Sequence, residues 1–331
     1  MHNQHKATAQ APANIAFIKY WGNKNSALRV PYHNSISMNI SSALTTTTVE
    51  FSEQFTQDEV LLSKTALSGS KKERVIKVLD SIRTEAKKQK LPAAAYFARI
   101  ETENSFPTAA GMALSASGFA ALALAASTAI GLKLSLKKLS TFARLGSGSA
   151  TRSIPDGFVE WIAGDSHETS YAKSLYAPNY WNLVDVIAVV DATEKKVSST
   201  LGHSLAQTSP LFNGRLQTMP KKIKRIKQAF KEKDFSTFGT IVEEESFNLH
   251  AVMMTSEPSV LYWTPTTVRV LQQLRVWREQ GLEAYATMDA GPNVHIICEE
   301  KSLLDIQKKV KQIQGVQDII VGKPTNGAKL V

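Results

Sequence analysis

The chain has 331 residues, 43% of them hydrophobic and 21% charged, a globular composition that supplies a core and argues against disorder. Its length fits one large domain or two intimate ones. A formal net charge of +10 leaves three kinds of partner to weigh: nucleic acid, a membrane surface, or small polyanions in a cleft.

The first ten residues are polar and lack the apolar core of a signal peptide. An apolar run follows, Ala11-Pro12-Ala13-Asn14-Ile15-Ala16-Phe17-Ile18-Lys19-Tyr20-Trp21-Gly22-Asn23, which Lys19 interrupts. On its own such a lysine either snorkels outward, the commoner case, or turns into a site to pair with an anion. Residues 45–51 and 59–63 read as strands, 71–88 as a helix with charged faces, and 95–103 as an alternating strand. Residues 109–132 are uncharged and long enough to span a bilayer, but their Ala, Ser, Thr and Gly content predicts a helix buried in the domain. A helix over 136–144 and a β-branched strand over 181–190 come next. Helices are expected at 211–233, 237–250 and 265–279, the last capped by Thr264 with Pro265 in its first turn. Strands over 284–289 and 294–299, a helix over 303–313 and a strand over 318–321 complete an α+β pattern without a regular βαβ repeat. A boundary falls between residues 192 and 193, giving units 1–192 and 193–331, although no flexible linker marks it.

The densest basic run, Lys221 to Lys233, is threaded by Ile223, Ile226 and Phe230 at helical spacing and reads as an amphipathic helix with a solvated basic face. No aromatic residues alternate with its charges, as a stacking platform for single-stranded nucleic acid requires. The single cysteine, Cys298, excludes an internal disulfide and any multi-cysteine metal site, and fits a reducing, cytoplasmic compartment.

Three further segments carry chemistry beside the lysine run. Between a predicted strand and a predicted helix lies Ser105-Phe106-Pro107-Thr108-Ala109-Ala110-Gly111-Met112-Ala113-Leu114-Ser115-Ala116-Ser117-Gly118. Small residues let backbone approach a ligand, free N–H groups at a helix start bind phosphate, and Ser115 and Ser117 add hydroxyls for phosphate or Mg²⁺. The alternative is a tightly packed core helix. Gly146-Ser147-Gly148-Ser149-Ala150-Thr151-Arg152-Ser153 offers hydroxyls and a guanidinium fork suited to an oxyanion, or is an ordinary Ser/Gly turn. In Thr287-Met288-Asp289-Ala290-Gly291-Pro292-Asn293, Asp289 ends a strand before a turn, a place that serves catalysis and turn formation equally well.

Taken together with Lys-Val-Ser-Ser-Thr-Leu-Gly at 196–202, the segments at 11–22, 106–111, 146–153 and 288–293 resemble the mevalonate diphosphate decarboxylases of the GHMP kinase superfamily. The pieces occur in the family's order and span nearly the whole chain. The resemblance implies an α+β GHMP kinase fold, with an N-terminal ribosomal-protein-S5-like domain, a C-terminal ferredoxin-like domain and the active site between them. It implies a reaction in which ATP phosphorylates the tertiary 3-hydroxyl of a 5-phosphorylated mevalonate, after which phosphate and CO₂ leave to give an isoprenoid alkene.

The residue roles also follow from the resemblance. Asp289 orients or deprotonates the 3-hydroxyl and stabilises positive charge at the tertiary carbon. Lys19 stands beside it and neutralises the phosphate in transfer, and Arg152 holds the substrate carboxylate. Ala16, Tyr20, Asn23, Ser147, Ser149, Ser198, Ser199 and His203 bind substrate. Pro107, Thr108, Ala109, Ala110, Gly111, Ser115 and Ser117 hold ATP, with Ser115 on Mg²⁺. A homodimer is the family's habit.

Three departures stand out. Asn23 is neutral where diphosphate-specific relatives have a cation, His203 stands where they have methionine, and Leu114 where they have serine. The neutral Asn23 gives the expectation that mevalonate 5-phosphate is preferred to the 5-diphosphate. The alternatives are a diphosphate-specific decarboxylase, a 3-kinase that stops before CO₂ loss, and an RNA-binding module. Neither nucleic acid nor membrane is an expected partner.

Overall fold

The structure, a computed structural model, describes residues 5–105, 114–191, 193 and 197–331. In chain order the first strands are β1 (Lys6–Ile18), β2 (Asn23–Asn25), β3 (Val30–Pro31), β4 (Ser35–Ser52), β5 (Glu59–Leu62) and β6 (Thr65–Ala66). Helix α1 (Gly69–Lys88), strand β7 (Phe97–Asn104) and helices α2 (Leu114–Ala129) and α3 (Leu136–Gly146) follow. Strands β8 (Phe158–Ile162), β9 (Tyr171–Tyr176) and β10 (Leu183–Val189) lead into helices α4 (Ser199–Leu205), α5 (Phe212–Glu232), α6 (Phe235–Met254) and α7 (Pro265–Glu279). The chain then runs through β11 (Tyr285–Thr287), β12 (Val294–Glu299), α8 (Leu303–Lys311), β13 (Asp318–Gly322) and β14 (Lys329–Leu330).

Eight strands form one sheet in the order β14-β1-β4-β7-β5-β6, with β8 paired to β4 and β9 to β8. Along β7 the predicted alternation holds: Ala98 and Ile100 are buried while Arg99, Glu101 and Glu103 are exposed. Helix α2 packs on β1 and β4, and its run of alanines lets it lie close to the sheet. It serves as a core helix, and no helix among the described residues is long and apolar enough to cross a membrane.

A second sheet has the order β11-β12-β10-β13. Strand β10, which precedes the expected boundary at 192/193, pairs only with strands from the C-terminal part. Helices α7 and α8 bury Val270, Leu274, Ile306 and Val310 against this sheet. Helix α6 lies between the two sheets, touching both β1 and β11. It thereby brings the ends of the two strands that carry Lys19 and Asp289 to one place.

Candidate active site

Strand β1 shows two register shifts against β4, the second between Ala16 and Ile18. Such an irregularity bends a strand and re-aims the next side chain, so the lysine that ends this apolar run turns inward. Lys19 is 1% exposed and does not snorkel. Its backbone N–H donates to Glu245 Oε1 at 3.3 Å, and its carbonyl accepts from Arg215 Nη2 at 3.1 Å. With its main chain gripped on both sides, Lys19 Nζ donates to Asp289 Oδ1 at 2.7 Å. Burial pushes the Lys19 ammonium below its ordinary 10.5, and Asp289 opposes that fall.

Asp289 is set by α6 and by its own turn. Met288 N–H donates to Ser246 Oγ at 2.8 Å, and Thr287 Oγ1 donates to the Ala16 carbonyl at 3.3 Å, tying β11 to β1. Asn293 Oδ1 accepts from Val190 N–H at 2.8 Å and Asp191 N–H at 3.1 Å, fixing the far side of the turn. The Asp289 side chain remains 38% exposed, against 2% for that of Lys19, so the pair presents its carboxylate outward.

Arg152 lies across from this pair and is 3% exposed. Its Nη1 donates to Ser35 Oγ at 2.7 Å, and Nη2 and Nε donate to Asn14 Oδ1 at 3.1 and 3.3 Å. Both partners are neutral, so the guanidinium keeps its charge available for an anion. Burial pulls it down to about 10, with Asp289 pulling the other way, and it stays cationic at neutral pH. Asn14 in turn donates to Ser153 Oγ at 2.8 Å and to the Ser149 carbonyl at 3.1 Å, which locks the 146–153 segment against β1.

These groups line a cavity of about 240 Å³ with Ala16, Tyr20, Ser115, Ser147, Ser149, Ser198, Ser199 and His203. Hydroxyls of Ser115, Ser147 and Ser149 form a chain with 3.2 Å steps. Gly148 lets the Tyr20 ring in, because a Cβ there would stand 2.4 Å from Tyr20 Cε1. Burial pushes the Tyr20 phenol up to about 12, against the pull of Arg29. The His203 ring lies between Tyr20 and Trp21, with centroids 4.1 and 4.4 Å away. Gly22 N–H donates to His203 Nδ1 at 3.0 Å. Burial, reinforced by Arg29 and Arg152, pushes that imidazole down to about 3. The ring is therefore neutral near pH 7, and its proton sits on Nε2.

Two expected contacts fall elsewhere. Asn23 does not line the cavity; its carboxamide oxygen accepts from Tyr20 Oη. Ser117 is fully buried, with its hydroxyl 2.6 Å from Thr45 Oγ1 beneath α2, because only the first turn of that helix faces the cavity. Pro107, Thr108, Ala109, Ala110 and Gly111 lie outside the described residues, as does any account of the Leu114 side chain.

Sequence reasoning missed several residues. Arg29 and Arg74 line the cavity, and each donates to a carbonyl at the C-terminal end of α3: Arg29 Nε to Leu145 O at 3.1 Å, Arg74 Nη2 to Gly146 O at 2.8 Å. Arg29 sat in a stretch with no recognisable pattern. Glu245 sat in an acidic triplet that looks like helix surface. Among the described residues the cavity wall thus carries Lys19, Arg29, Arg74 and Arg152 against the single carboxylate of Asp289, and that imbalance favours a polyanion.

Known proteins resemble this chain in sequence and fold. A diphosphomevalonate decarboxylase-like N-terminal domain model matches residues 11–172, and a mevalonate 5-diphosphate decarboxylase C-terminal domain model matches residues 185–326. The diphosphomevalonate decarboxylase of Debaryomyces hansenii is 35% identical over 311 residues, covering 89% of this chain and 80% of that one. The crystal structure of mevalonate diphosphate decarboxylase from Staphylococcus aureus superposes with a TM-score of 0.92 at 39% identity, covering 98% of each chain. A complex described as MDDEF with MVAPP, AMPPCP and magnesium gives a TM-score of 0.91 at 36% identity, again over 98% of each chain.

Proposed function

Because the chain belongs to the diphosphomevalonate decarboxylase family of the GHMP kinase superfamily, we propose that it converts mevalonate 5-diphosphate and ATP to isopentenyl diphosphate, ADP, phosphate and CO₂. It is an ATP-dependent carboxy-lyase of the mevalonate pathway. The observation that carries the residue-level reading is the Lys19–Asp289 pair at 2.7 Å, its carboxylate facing a cleft rich in cations.

In this reading Asp289 accepts the proton of the tertiary 3-hydroxyl as that oxygen attacks the γ-phosphorus of ATP. Lys19 keeps the carboxylate oriented and lends positive charge where phosphate charge gathers. Arg152 holds the substrate carboxylate by the N–H groups that Asn14 and Ser35 leave free. Loss of CO₂ then supplies the electron pair for the alkene as the C3–O bond breaks and phosphate departs. Positive charge developing at C3 lies beside the Asp289 carboxylate. Ser147, Ser149, Ser198, Ser199 and His203 offer neutral donors for the 5-diphosphate end.

The donors fit Mg²⁺, an ion that keeps its own waters and binds through one or two carboxylates plus phosphate oxygens. Asp289 and the Ser115 hydroxyl are the ligands the cleft provides, and no cluster of three acidic, imidazole or thiol groups exists among the described residues. Bound there with ATP, Mg²⁺ would neutralise phosphate charge.

The preference for the 5-phosphate expected from Asn23 is not supported. The relatives are named for the diphosphate, and Asn23 lies outside the cavity wall, so its neutrality does not measure the charge the substrate meets. The test is Asp289→Asn. It should abolish CO₂ release while leaving nucleotide affinity nearly unchanged, and a variant that still releases CO₂ contradicts the assignment.

A further inference from the structure

Resting on the reading of mevalonate 5-diphosphate as substrate, we propose that Arg29 supplies the positive charge that meets the diphosphate end of the substrate. Charge missing at position 23 is thus supplied by a side chain that lines the pocket itself.

Position 23 is closed to that task. Asn23 is neutral and its side-chain oxygen is taken by Tyr20 Oη. The neighbouring Lys24 points away, paired with Asp165, and the two side chains are 56% and 80% exposed. His203 brings a donor without a charge, since its Nδ1 accepts from Gly22 N–H and the ring is neutral.

Arg29 stands where a charge is needed. It lines the cavity together with Tyr20, Ser147 and His203. Its field lowers both the Tyr20 phenol and the His203 imidazole, which places the guanidinium close to that end of the pocket. Only Nε is spent, on the Leu145 carbonyl. Among the described residues the two Nη groups make no hydrogen bond and no ion pair, so a fork of donors is left for phosphate oxygens. Arg74 likewise spends one N–H, on the Gly146 carbonyl, but its guanidinium lies over the face of Phe119 at 5.1 Å and is not among the charges acting on Tyr20 or His203.

The backbone at Arg29 supports the same role. Its φ of +52° lies in the left-handed region, which an arginine adopts at a cost. Strain of this kind persists where the surrounding structure holds a side chain to a task. Here the Leu145 carbonyl at the end of α3 and the short β2–β3 pairing hold Arg29 in its turn.

The experiment uses the full chain with ATP, Mg²⁺ and either mevalonate 5-diphosphate or the 5-phosphate. Arg29→Gln keeps an N–H for the Leu145 carbonyl and loses the charge. It should reduce kcat/KM for the 5-diphosphate about tenfold or more beyond any loss for the 5-phosphate, the scale of a charged hydrogen bond. The Kd for the 5-diphosphate, measured by calorimetry without nucleotide, should weaken in parallel. Arg29→Lys should retain most of the preference. An Arg29→Gln enzyme that loses both substrates by one factor, or keeps its preference, overturns the proposal. The two readings fail separately: a wild-type chain that ignores the 5-diphosphate overturns the choice of substrate, whereas one that uses it through an indifferent Arg29 overturns only this inference.

Discussion

At the scale of single residues, the asymmetry of the Lys19–Asp289 pair has a pH signature. The lysine is buried and its ammonium is lowered from 10.5, while the aspartate faces the cleft. In the proposed mechanism the charged lysine is the working form, so kcat/KM should fall as pH rises through the lowered value, below pH 10.5 rather than at it. Bound polyanionic substrate favours the ammonium, so the same limb should stand at higher pH in kcat than in kcat/KM. Lys19→Arg should remove the limb from the measurable range, because a guanidinium stays charged there. Initial rates across pH 7 to about 10.5 check this; an alkaline limb unaltered by Lys19→Arg assigns it to another group. The sequence showed that a lysine interrupts an apolar run, but which way it points is set by a register shift in β1 and by Glu245, more than two hundred positions along the chain.

At the scale of elements, α6 is the part on which the site is mounted. Glu245 accepts from the Lys19 N–H and from Arg215 through Oε1, and from Lys222 Nζ at 3.0 Å through Oε2. Burial raises this carboxyl, yet Arg215 and Lys222 together hold it below the usual range. Glu245→Gln would leave buried Arg215 facing a neutral amide, with Lys222 still paired to Glu244 at 3.2 Å, and should destabilise the fold by roughly 3–5 kcal/mol, the cost of breaking a buried pair. Urea unfolding at pH 7 measures it, and a loss below about 1 kcal/mol would reduce the cluster to the worth of a surface pair. Helix α5 had read as a solvated basic face, but Lys222 is 5% exposed and Lys227 pairs with buried Glu160, so part of the basic run is interior wiring. Elements with clear periodicity were legible: α7 and β12 run over the residues expected, and α1 starts two residues early. Strand β1 was not, since both of its faces are buried from Ala11 to Ile18 and no alternation marks it.

For the molecule as a whole, three imidazoles held well below their ordinary value make the fold sensitive to acid. Burial is the leading cause for each, lowering His33 to about 4 and His203 and His250 to about 3, all from 6.5. The folded values lie below the unfolded one, so the stability they contribute is complete above pH 6.5 and is lost as pH falls toward 3–4. Each group costs up to about 1.4 kcal/mol per pH unit in that window, so the three together should remove roughly 3–4 kcal/mol between pH 6 and pH 5. The urea midpoint should drop accordingly, and His203→Met should cancel about a third of the drop. An equal midpoint at pH 7 and pH 5 would refute the account. Which histidines become interior was not legible, because each is covered by segments distant in sequence. The pairing of β1 with β14, Ala9 opposite Leu330 and Gln10 opposite Lys329, bears on how the enzyme comes into being. A ribosome delivers Lys19 early, and β10 emerges long before its partners β12 and β13. Neither sheet can complete its pairing on a half-made chain, and a product released before residue 289 lacks one member of the Lys19–Asp289 pair. Newly made polypeptide therefore closes its two sheets only once the last strands, β13 and β14, have been delivered.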